Sequence, residues 1–377
     1  MTRPTSLLPA VFAAGCIALT HAGAAAASLE DLRKLPAQGP LTDAAKRVIE
    51  EYTADGAQRV RQAKTMEQLE AARSHLEKGY AVQGSDYYQW EYAAQFAAQA
   101  APLLSLKADP LSRVKEIQVG MMAEDMKQVS IQPLLVAMAG HSNPGVRYWA
   151  AKAYWTTLRG DPRRTSTGKR LLQLGGRHAQ TMLATLQDMG LKEPSGPVLS
   201  EVLRALSPYP EVEGSLARQL RDALDKVWLA RCKELQAGDS SMADAYLKAL
   251  PMVGPGVQLA DEKLAVQLFA DAMAAAARAW AEEKNQKDEA LVEALKDLIL
   301  DLEGRLVEIL KPGQSPIRRI ISDEKMSAKV QPLEALVSMV DFWQPRLNDR
   351  GVKMRVKLTT TPATQGATQP ATLPAKP

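Results

Sequence analysis

The sequence predicts an all-α protein. Alanine and leucine dominate, aromatic residues make up only 5% of the chain, and β-branched residues are sparse in its middle, a composition that favours helix over strand. Apolar residues recur at helical spacing, and the breaks between these stretches carry Gly, Pro, Asp or Ser. No stretch before residue 351 alternates like a strand. With 46% hydrophobic residues among 377, the chain is long enough to bury a sizeable core.

Residues 1–27 have the layout of a secretory signal peptide. One positive charge near the start is followed by an apolar run at 7–19 and then by small residues. Cleavage is expected after Ala24 or Ala27, which gives an exported, periplasmic or extracellular protein. Two alternatives are a lipoprotein signal that uses Cys16 and a membrane anchor. The apolar run is too short to cross about 30 Å of hydrocarbon as a helix.

Export and cleavage would leave Cys232 as the single cysteine, so no intrachain disulfide is expected. Because Cys232 lies in a helical stretch, a small buried side chain is favoured over a reactive or intermolecular thiol. The net charge of +4, from 47 cations and 43 anions, is too balanced to indicate a nucleic-acid-binding protein. The absence of Asn-x-Ser/Thr sequons is weakly in favour of a bacterial envelope.

The helices are expected in close succession after a lead-in that ends at Pro40. Thr42 can cap the first helix, Thr65 and Gln68 form a capping box for the second, and Gly79 is a plausible stop. Further helices are predicted at 86–104, from Asp109-Pro110 onward, and at 130–139, 144–159, 178–189, 197–207, 215–235, 241–250, 261–284, 288–311 and 331–344. About fourteen helices with short connectors favour a stack over a single bundle.

The end of the chain differs from the rest. Residues 352–358 alternate, with Val352, Met354, Val356 and Leu358 on one side and cations on the other. An extended segment lying on the last helices is therefore expected. Residues 359–377 are rich in Thr, Pro, Ala and Gln, and this tail is expected to be disordered because it has little apolar surface to bury.

One helix–turn–helix unit carries a specific pattern. A helix "IQPLLVAMAG" is followed by the turn "HSNP" and by a second helix that begins "GVRYWAAKAYW". Pro144, one residue, Val146-Arg147 and the later pair Ala150-Ala151 mark the second helix. In this pattern residues 131–158 resemble a HEAT repeat. That family usually has an Asp five residues before the Val, where it can pair with Arg residues of neighbouring repeats; here that position is His141.

Two weaker copies lie on either side of this unit. In 178–207 the apolar spacing recurs 52 residues later, with Glu193 at the position of His141 and Leu199 in place of the Arg. Residues 86–104 repeat the Ala pair without the Pro or the Arg. The resemblance implies a HEAT-like α-α superhelix, or solenoid, over 41–210, with additional C-terminal helices at 215–350. An irregular helical domain with one such unit is the alternative.

The search for catalytic motifs finds none. The histidines after the leader, His75, His141 and His178, form no HExxH or Cys/His cluster. Gly168-Lys169 is followed by Arg170 where a phosphate-binding loop needs Ser or Thr. The paired carboxylates lie on lysine-rich helices, where they are expected to belong to solvent-exposed faces and to pair with cations one turn away. Neither a cofactor nor a metal site is expected.

The candidate binding residues surround the HEAT-like unit. A basic connector, residues 159–177, carries six cations and a single Asp: Arg159, Arg163, Arg164, Lys169, Arg170 and Arg177. It suits an anionic partner, either an acidic protein or an anionic envelope component, although a plain solvated loop has the same composition. His141, Arg147 and Trp149 belong to the unit itself, where a turn residue and core packing are the alternatives to ligand contact.

The expected function is that of a non-catalytic protein-binding or scaffolding module of the bacterial cell envelope. Helical stacks work by presenting a long surface. The alternatives are an enzyme that acts on an envelope polymer through a site assembled from scattered residues, and a purely structural envelope component. Nucleic acid and a transmembrane span are not expected, and the sequence does not indicate an oligomeric state.

Overall fold

The computed structural model of the chain describes residues 27–106, 110–159, 177–208, 214–314 and 316–358. Within these ranges the protein is all-α, and no strand is present. The predicted leader and the predicted disordered tail lie outside the described residues. So does most of the basic connector.

The first eight helices occupy the N-terminal half. Their bounds are α1 Leu29–Arg33, α2 Asp43–Gln62, α3 Met66–Ala81, α4 Asp86–Ala100, α5 Ser112–Met126, α6 Gln132–Ala139, α7 Pro144–Arg159 and α8 Arg177–Lys192. A 3₁₀ segment, Ala101–Ser105, directly follows α4, and a second, Val129–Ile131, leads into α6.

The remaining helices are longer on average. Their bounds are α9 Gly196–Leu206, α10 Gly214–Ala237, α11 Ser240–Ala260, α12 Glu262–Ala281, α13 Glu289–Leu310, α14 Pro316–Ser322, α15 Val330–Ser338 and α16 Gln344–Asp349. A π-helical turn, Met339–Trp343, joins α15 to α16. The short helices α1 and α14 were not predicted from the sequence.

The helices form two layers, because each helix from α2 to α11 packs against the next helix but one. In the odd layer α3, α5, α7, α9, α11 and α13 contact one another in turn. In the even layer α2, α4, α6, α8, α10 and α12 do the same, and α15 follows α12. The core lies between the layers and runs through the whole described chain. The alternation continues without interruption across the predicted boundary near residue 215.

Local capping explains where several helices begin. The side chain of Thr42 accepts the N–H of Ala45, as the sequence predicts. Thr65 accepts the N–H of Gln68, but Gln68 reaches back to the N–H of Lys64, one residue before the cap. Each contact satisfies an amide that the first turn leaves without a helical partner.

The interpretation of Gly79 as a helix stop was wrong, since α3 continues to Ala81. Glycine is needed there for space. A Cβ atom on Gly79 would lie 2.4 Å from Cε1 of Tyr52 and 2.6 Å from the hydroxyl of Tyr92. The side chains of the two tyrosines instead pack against α3 at Gly79. The Tyr92 hydroxyl donates to the carbonyl of Leu76.

The break expected at residues 251–256 was also wrong, because α11 runs through Pro251 and Pro255. A proline inside a helix leaves carbonyls of the preceding turn without their amide partners. The carbonyls affected directly are those four residues earlier, of Leu247 and Pro251. Side chains at the end of α9 bind the adjacent carbonyls: Arg204 donates to the carbonyl of Lys248, and the hydroxyl of Ser207, just after α9, donates to the carbonyl of Met252. These contacts tie α11 to α9 beside both prolines.

The C-terminal segment 352–358 alternates as predicted, with Val352 and Val356 buried and the cations outward. It lies on α10 and α12 rather than on the last helices. The carbonyl of Lys353 accepts from Gln267, and Arg355 reaches both Asp271 and Asp225. Without a neighbouring strand, these contacts fix an extended chain.

The centre of the C-terminal half is α12, in which fourteen of twenty residues are buried. A helix that is apolar on all sides is typical of a fully enclosed position. Its alanines let α10, α11, α13 and α15 approach it together. Nearby, the thiol of Cys232 is 1% exposed, as the sequence predicts, and lies 3.6 Å from the Tyr246 hydroxyl. Burial raises the pKa of this thiol to about 12.

None of the described helices combines the length and the apolar character that crossing a membrane demands.

Candidate functional site

A groove opens to solvent between α6 and α8, two neighbours of the even layer. Its volume is about 670 Å³. Small or apolar side chains line most of it: Val136, Ala139, Thr181, Ala184, Thr185 and Met189. Val136 is 42% exposed, which is unusual for a large apolar residue in the middle of a helix layer.

The two walls of the groove differ in length. The helix α6 has eight residues and α8 has sixteen. These two helices contact each other far less than α5 contacts α7 or α7 contacts α9 in the odd layer. The odd layer therefore stays closed behind a gap in the even layer.

Arg147 lies at one end of the groove and is held by Glu193. Its Nε and Nη2 atoms are 2.7 and 2.8 Å from the two carboxylate oxygens. Its Nη1 atom donates to the carbonyls of His141 and Ser142, at 2.8 and 3.0 Å. The hydrogen bonds to Glu193 raise the pKa of the guanidinium. Such a two-pronged pair fixes geometry as well as charge.

Glu193 connects this pair to the next helices. Its side chain is 2% exposed, and its Oε1 also accepts the N–H of Ser195 at 2.9 Å. The guanidinium of Arg231, on α10, donates to the Glu193 carbonyl. The turn between α8 and α9 is thereby tied to both α7 and α10.

His141 makes the corresponding connection toward the preceding helices. Its Nδ1 accepts the N–H of Asn143 at 3.1 Å, and its Nε2 lies 2.8 Å from the carbonyl of Leu104. These partners assign the proton to Nε2. Glu116 is 3.8 Å from Nε2 and accepts from the Asn143 amide at 3.3 Å.

The contacts of His141, Arg147 and Glu193 lie along the turns that follow α6 and α8, and together they are called the polar row. Glu193 occupies, in the weaker sequence copy, the position that His141 occupies in the HEAT-like unit. Glu193 and Arg147 pair across 46 residues. Both His141 and Arg147 border the groove, with side chains already engaged within the protein.

Trp149 lies away from the groove, on the side of α7 that faces α5. A Cβ atom on Gly120 of α5 would be 2.7 Å from Cβ of Trp149, so the glycine admits this side chain. The ammonium of Lys152 lies 4.4 Å from the centre of its ring. Trp155 is also half-buried against the core. Core packing thus accounts for both tryptophans.

Only the ends of the basic connector are within the described residues. Arg159 ends α7, where its guanidinium stacks 4.6 Å over the ring of Trp155. Arg177 is the first residue of α8, the longer wall of the groove. The other four cations, Arg163, Arg164, Lys169 and Arg170, lie outside the described ranges. The connector therefore enters the groove wall at the N-terminal end of α8.

Beyond the groove, the N-terminal end of α8 makes contacts that the sequence did not predict. Nδ1 of His178 is 2.6 Å from Oε1 of Gln132, a contact that bridges α8 and α6. Trp90, on α4, is 37% exposed and meets the His178 ring edge-on at 6.5 Å. Tyr87 is 49% exposed on the same helix. Helical spacing alone does not tell which side of α4 lacks a neighbour.

The described residues hold no group of three or more His, Cys, Asp or Glu side chains placed to bind a metal ion. Comparison with known proteins adds no family: no protein-family model matches the chain, and no curated protein matches it significantly.

Proposed function

We propose that this chain is a non-catalytic protein-binding or scaffolding module of the bacterial cell envelope. In this proposal the two layers are a HEAT-like α-α superhelix. The working surface is the groove between α6 and α8 together with the basic connector. The bound partner is an extended, acidic segment of another protein.

The open groove is the observation that carries the proposal. Its walls are small and uncharged, with Thr181, Ala184 and Thr185 along α8. The charges at its end are already neutralised, because Arg147 pairs with Glu193 and Lys192 pairs with Asp188 at 2.6 Å. An elongated gap with small side chains suits a peptide backbone, which brings its own hydrogen-bonding groups and needs room.

The charge of the connector supports an acidic partner. Six cations in 19 residues, against one Asp, lead directly into the α8 wall of the groove. Cations beside a binding surface raise the rate of encounter with an acidic segment and discriminate against basic ones. The exposed ring of Trp90, which meets His178 near the start of α8, offers contact area of the kind enriched in interfaces.

The cellular location rests on the sequence of residues 1–27. The order of one cation, an apolar run and small residues is the pattern of an export signal. A scaffold that operates in the envelope agrees with that pattern and with the long layered surface.

The test is a crosslinking pull-down from the native envelope that compares wild type with two variants. The connector variant combines Arg163→Ser, Arg164→Ser, Lys169→Ser and Arg170→Ser. The groove variant is Ala184→Arg, which fills the gap. Ala71→Arg, at an exposed alanine of α3, is the matched control. Specific partners that disappear with both variants but persist in the control support the proposal. If no protein is enriched by wild type, the scaffold proposal fails, and envelope polymers become the ligands to screen.

A further inference from the structure

The last helix of the even layer carries an exposed apolar strip. Val330, Leu333, Val337 and Val340 are 44%, 52%, 54% and 40% exposed. They are four of the nine large apolar side chains that are exposed in the described part of the chain. Their spacing places them along one side of α15 and the π-helical turn, over about 15 Å. Concentration on one helix face distinguishes this strip from scattered surface residues.

The helix that carries the strip is held firmly in place by its other side. Ala335, Met339 and Trp343 are buried, and α15 packs against α12. The indole N–H of Trp343 donates to one oxygen of the buried Glu303 carboxylate at 3.1 Å. The second oxygen of this carboxylate accepts the backbone N–H of Arg318. The strip is therefore a rigid surface, and it faces away from the stack.

The strip is symmetric about Ala335. Leu333 and Val337 lie two positions to either side of this residue, and Val330 and Val340 lie five positions to either side. Two copies of the helix in antiparallel orientation would therefore set Leu333 level with Val337 of the second copy, and Val330 level with its Val340. A two-fold interface requires this kind of self-complementary surface.

The charged residues at the two ends of the strip share its symmetry with opposite signs, whereas Glu334, exposed beside Leu333, has no symmetric counterpart. Lys329 and Asp341 lie six positions to either side of Ala335, and both are exposed. In the antiparallel pair each Lys329 stands level with Asp341 of the second copy, at both ends of the apolar strip. A parallel pair would instead bring Lys329 beside Lys329 and Asp341 beside Asp341.

We infer that the apolar strip is a homodimer interface, in which α15 pairs with α15 of a second copy in antiparallel orientation about a two-fold axis at Ala335. This inference goes beyond the proposed partner binding and does not depend on it. The strip lies on the last helix of the even layer, three helices beyond the groove, so both copies keep their grooves open. Because the strip is short, the dimer is of the weak, transient class, with a Kd on the order of 10 µM.

Sedimentation velocity of the purified protein at concentrations up to about 200 µM tests the interface. Wild type is expected to shift from monomer to dimer over this range. Leu333→Asp is expected to weaken the dimer at least tenfold, because it places a charge in the centre of the strip. Leu259→Asp is the matched control, since Leu259 is 77% exposed on α11 and outside the strip. A monomeric wild type, or a dimer that survives Leu333→Asp, overturns the inference.

Charge reversal tests the antiparallel orientation. Lys329→Asp alone and Asp341→Lys alone each place like charges level with each other, and each is expected to weaken the dimer several-fold. The double variant restores opposite charges at both ends and is expected to recover wild-type affinity. A double variant as weak as the two single variants overturns the antiparallel pairing. Circular dichroism of each variant verifies that the fold is intact, and the groove variant Ala184→Arg should dimerise like wild type.

Discussion

The even layer is open at α6–α8 and closed at α10–α12, although both pairs occupy equivalent places in the stack. At α6–α8 a short helix faces a long one, and a groove of about 670 Å³ remains between them. At α10–α12 two helices of 24 and 20 residues pack along their length. The segment 352–358 then lies across both of them.

The difference shows that alanine has two roles in this protein. In α12 the side chains of Ala274 and its neighbours are fully buried, and their small size lets helices approach closely. In α8 the side chain of Ala184 is exposed on a wall of the groove, and its small size keeps the gap open. Alanine therefore allows close helix packing in one part of the layer and keeps a groove accessible in another.

The largest effect is expected from enlarging an alanine in the closed part. Ala274→Leu should lower the free energy of unfolding by about 2–3 kcal/mol, because the surrounding helices leave no volume for three more carbon atoms. The same change at Ala184 should alter it by less than about 0.5 kcal/mol. Denaturant melts of the two variants, followed by circular dichroism at 222 nm, compare the two sites. Equal losses would show that the groove is packed rather than open.

An intermediate effect is expected at the polar row. Glu193→Ala removes the buried carboxylate that holds Arg147, which retains its two carbonyl partners, and should cost about 2 kcal/mol. Asp188→Ala removes the exposed pair with Lys192 in the same groove and should cost under about 0.5 kcal/mol. Urea midpoints of the two variants measure the difference. Indistinguishable midpoints would mean that the Arg147–Glu193 pair does not join the layers.

The smallest effect is expected in the C-terminal segment. Arg355→Ala removes the bridge to Asp225 and one of the donors to Asp271. The cost should be about 1 kcal/mol, because the backbone N–H of residue 355 and Gln267 still donate to Asp271. Lys357→Ala, at an exposed position of the same segment, should leave stability unchanged. Amide hydrogen exchange of 352–358 should accelerate in the first variant alone; equal exchange would show that Arg355 does not anchor the segment.

Most helix positions were predictable from the sequence because their signals are local. Thr42 and Thr65 cap helices where a Thr precedes a helical pattern. Arg147 and His141 were identified by their positions in one repeat-like unit, and the structure places both beside the groove. Their use within the protein, through Glu193 and Leu104, depends on residues 37 to 46 positions away.

The errors arose where a distant partner overrides a local preference. A glycine near the end of a helical pattern is typical of a helix stop, but Gly79 lies inside α3, where its lack of a side chain makes room for the ring of Tyr52. Pro251 and Pro255 are typical of a helix end, yet α11 continues through both, and Arg204 and Ser207 tie it to α9 beside them. The exposure of Val136 and Leu333 was not predictable, because apolar spacing does not reveal which helix lacks a neighbour on one side.

The buried thiol of Cys232 has a consequence for handling the protein in an oxidising environment. A chain that begins after Ala27 has no other cysteine. Its single thiol is 1% exposed between α10 and α11, and burial raises its pKa to about 12. Oxidants and alkylating reagents react with the thiolate and need access to it. The rate at which such a reagent modifies Cys232 therefore measures how often the closed part of the layer opens transiently. The native state resists covalent crosslinking through this residue.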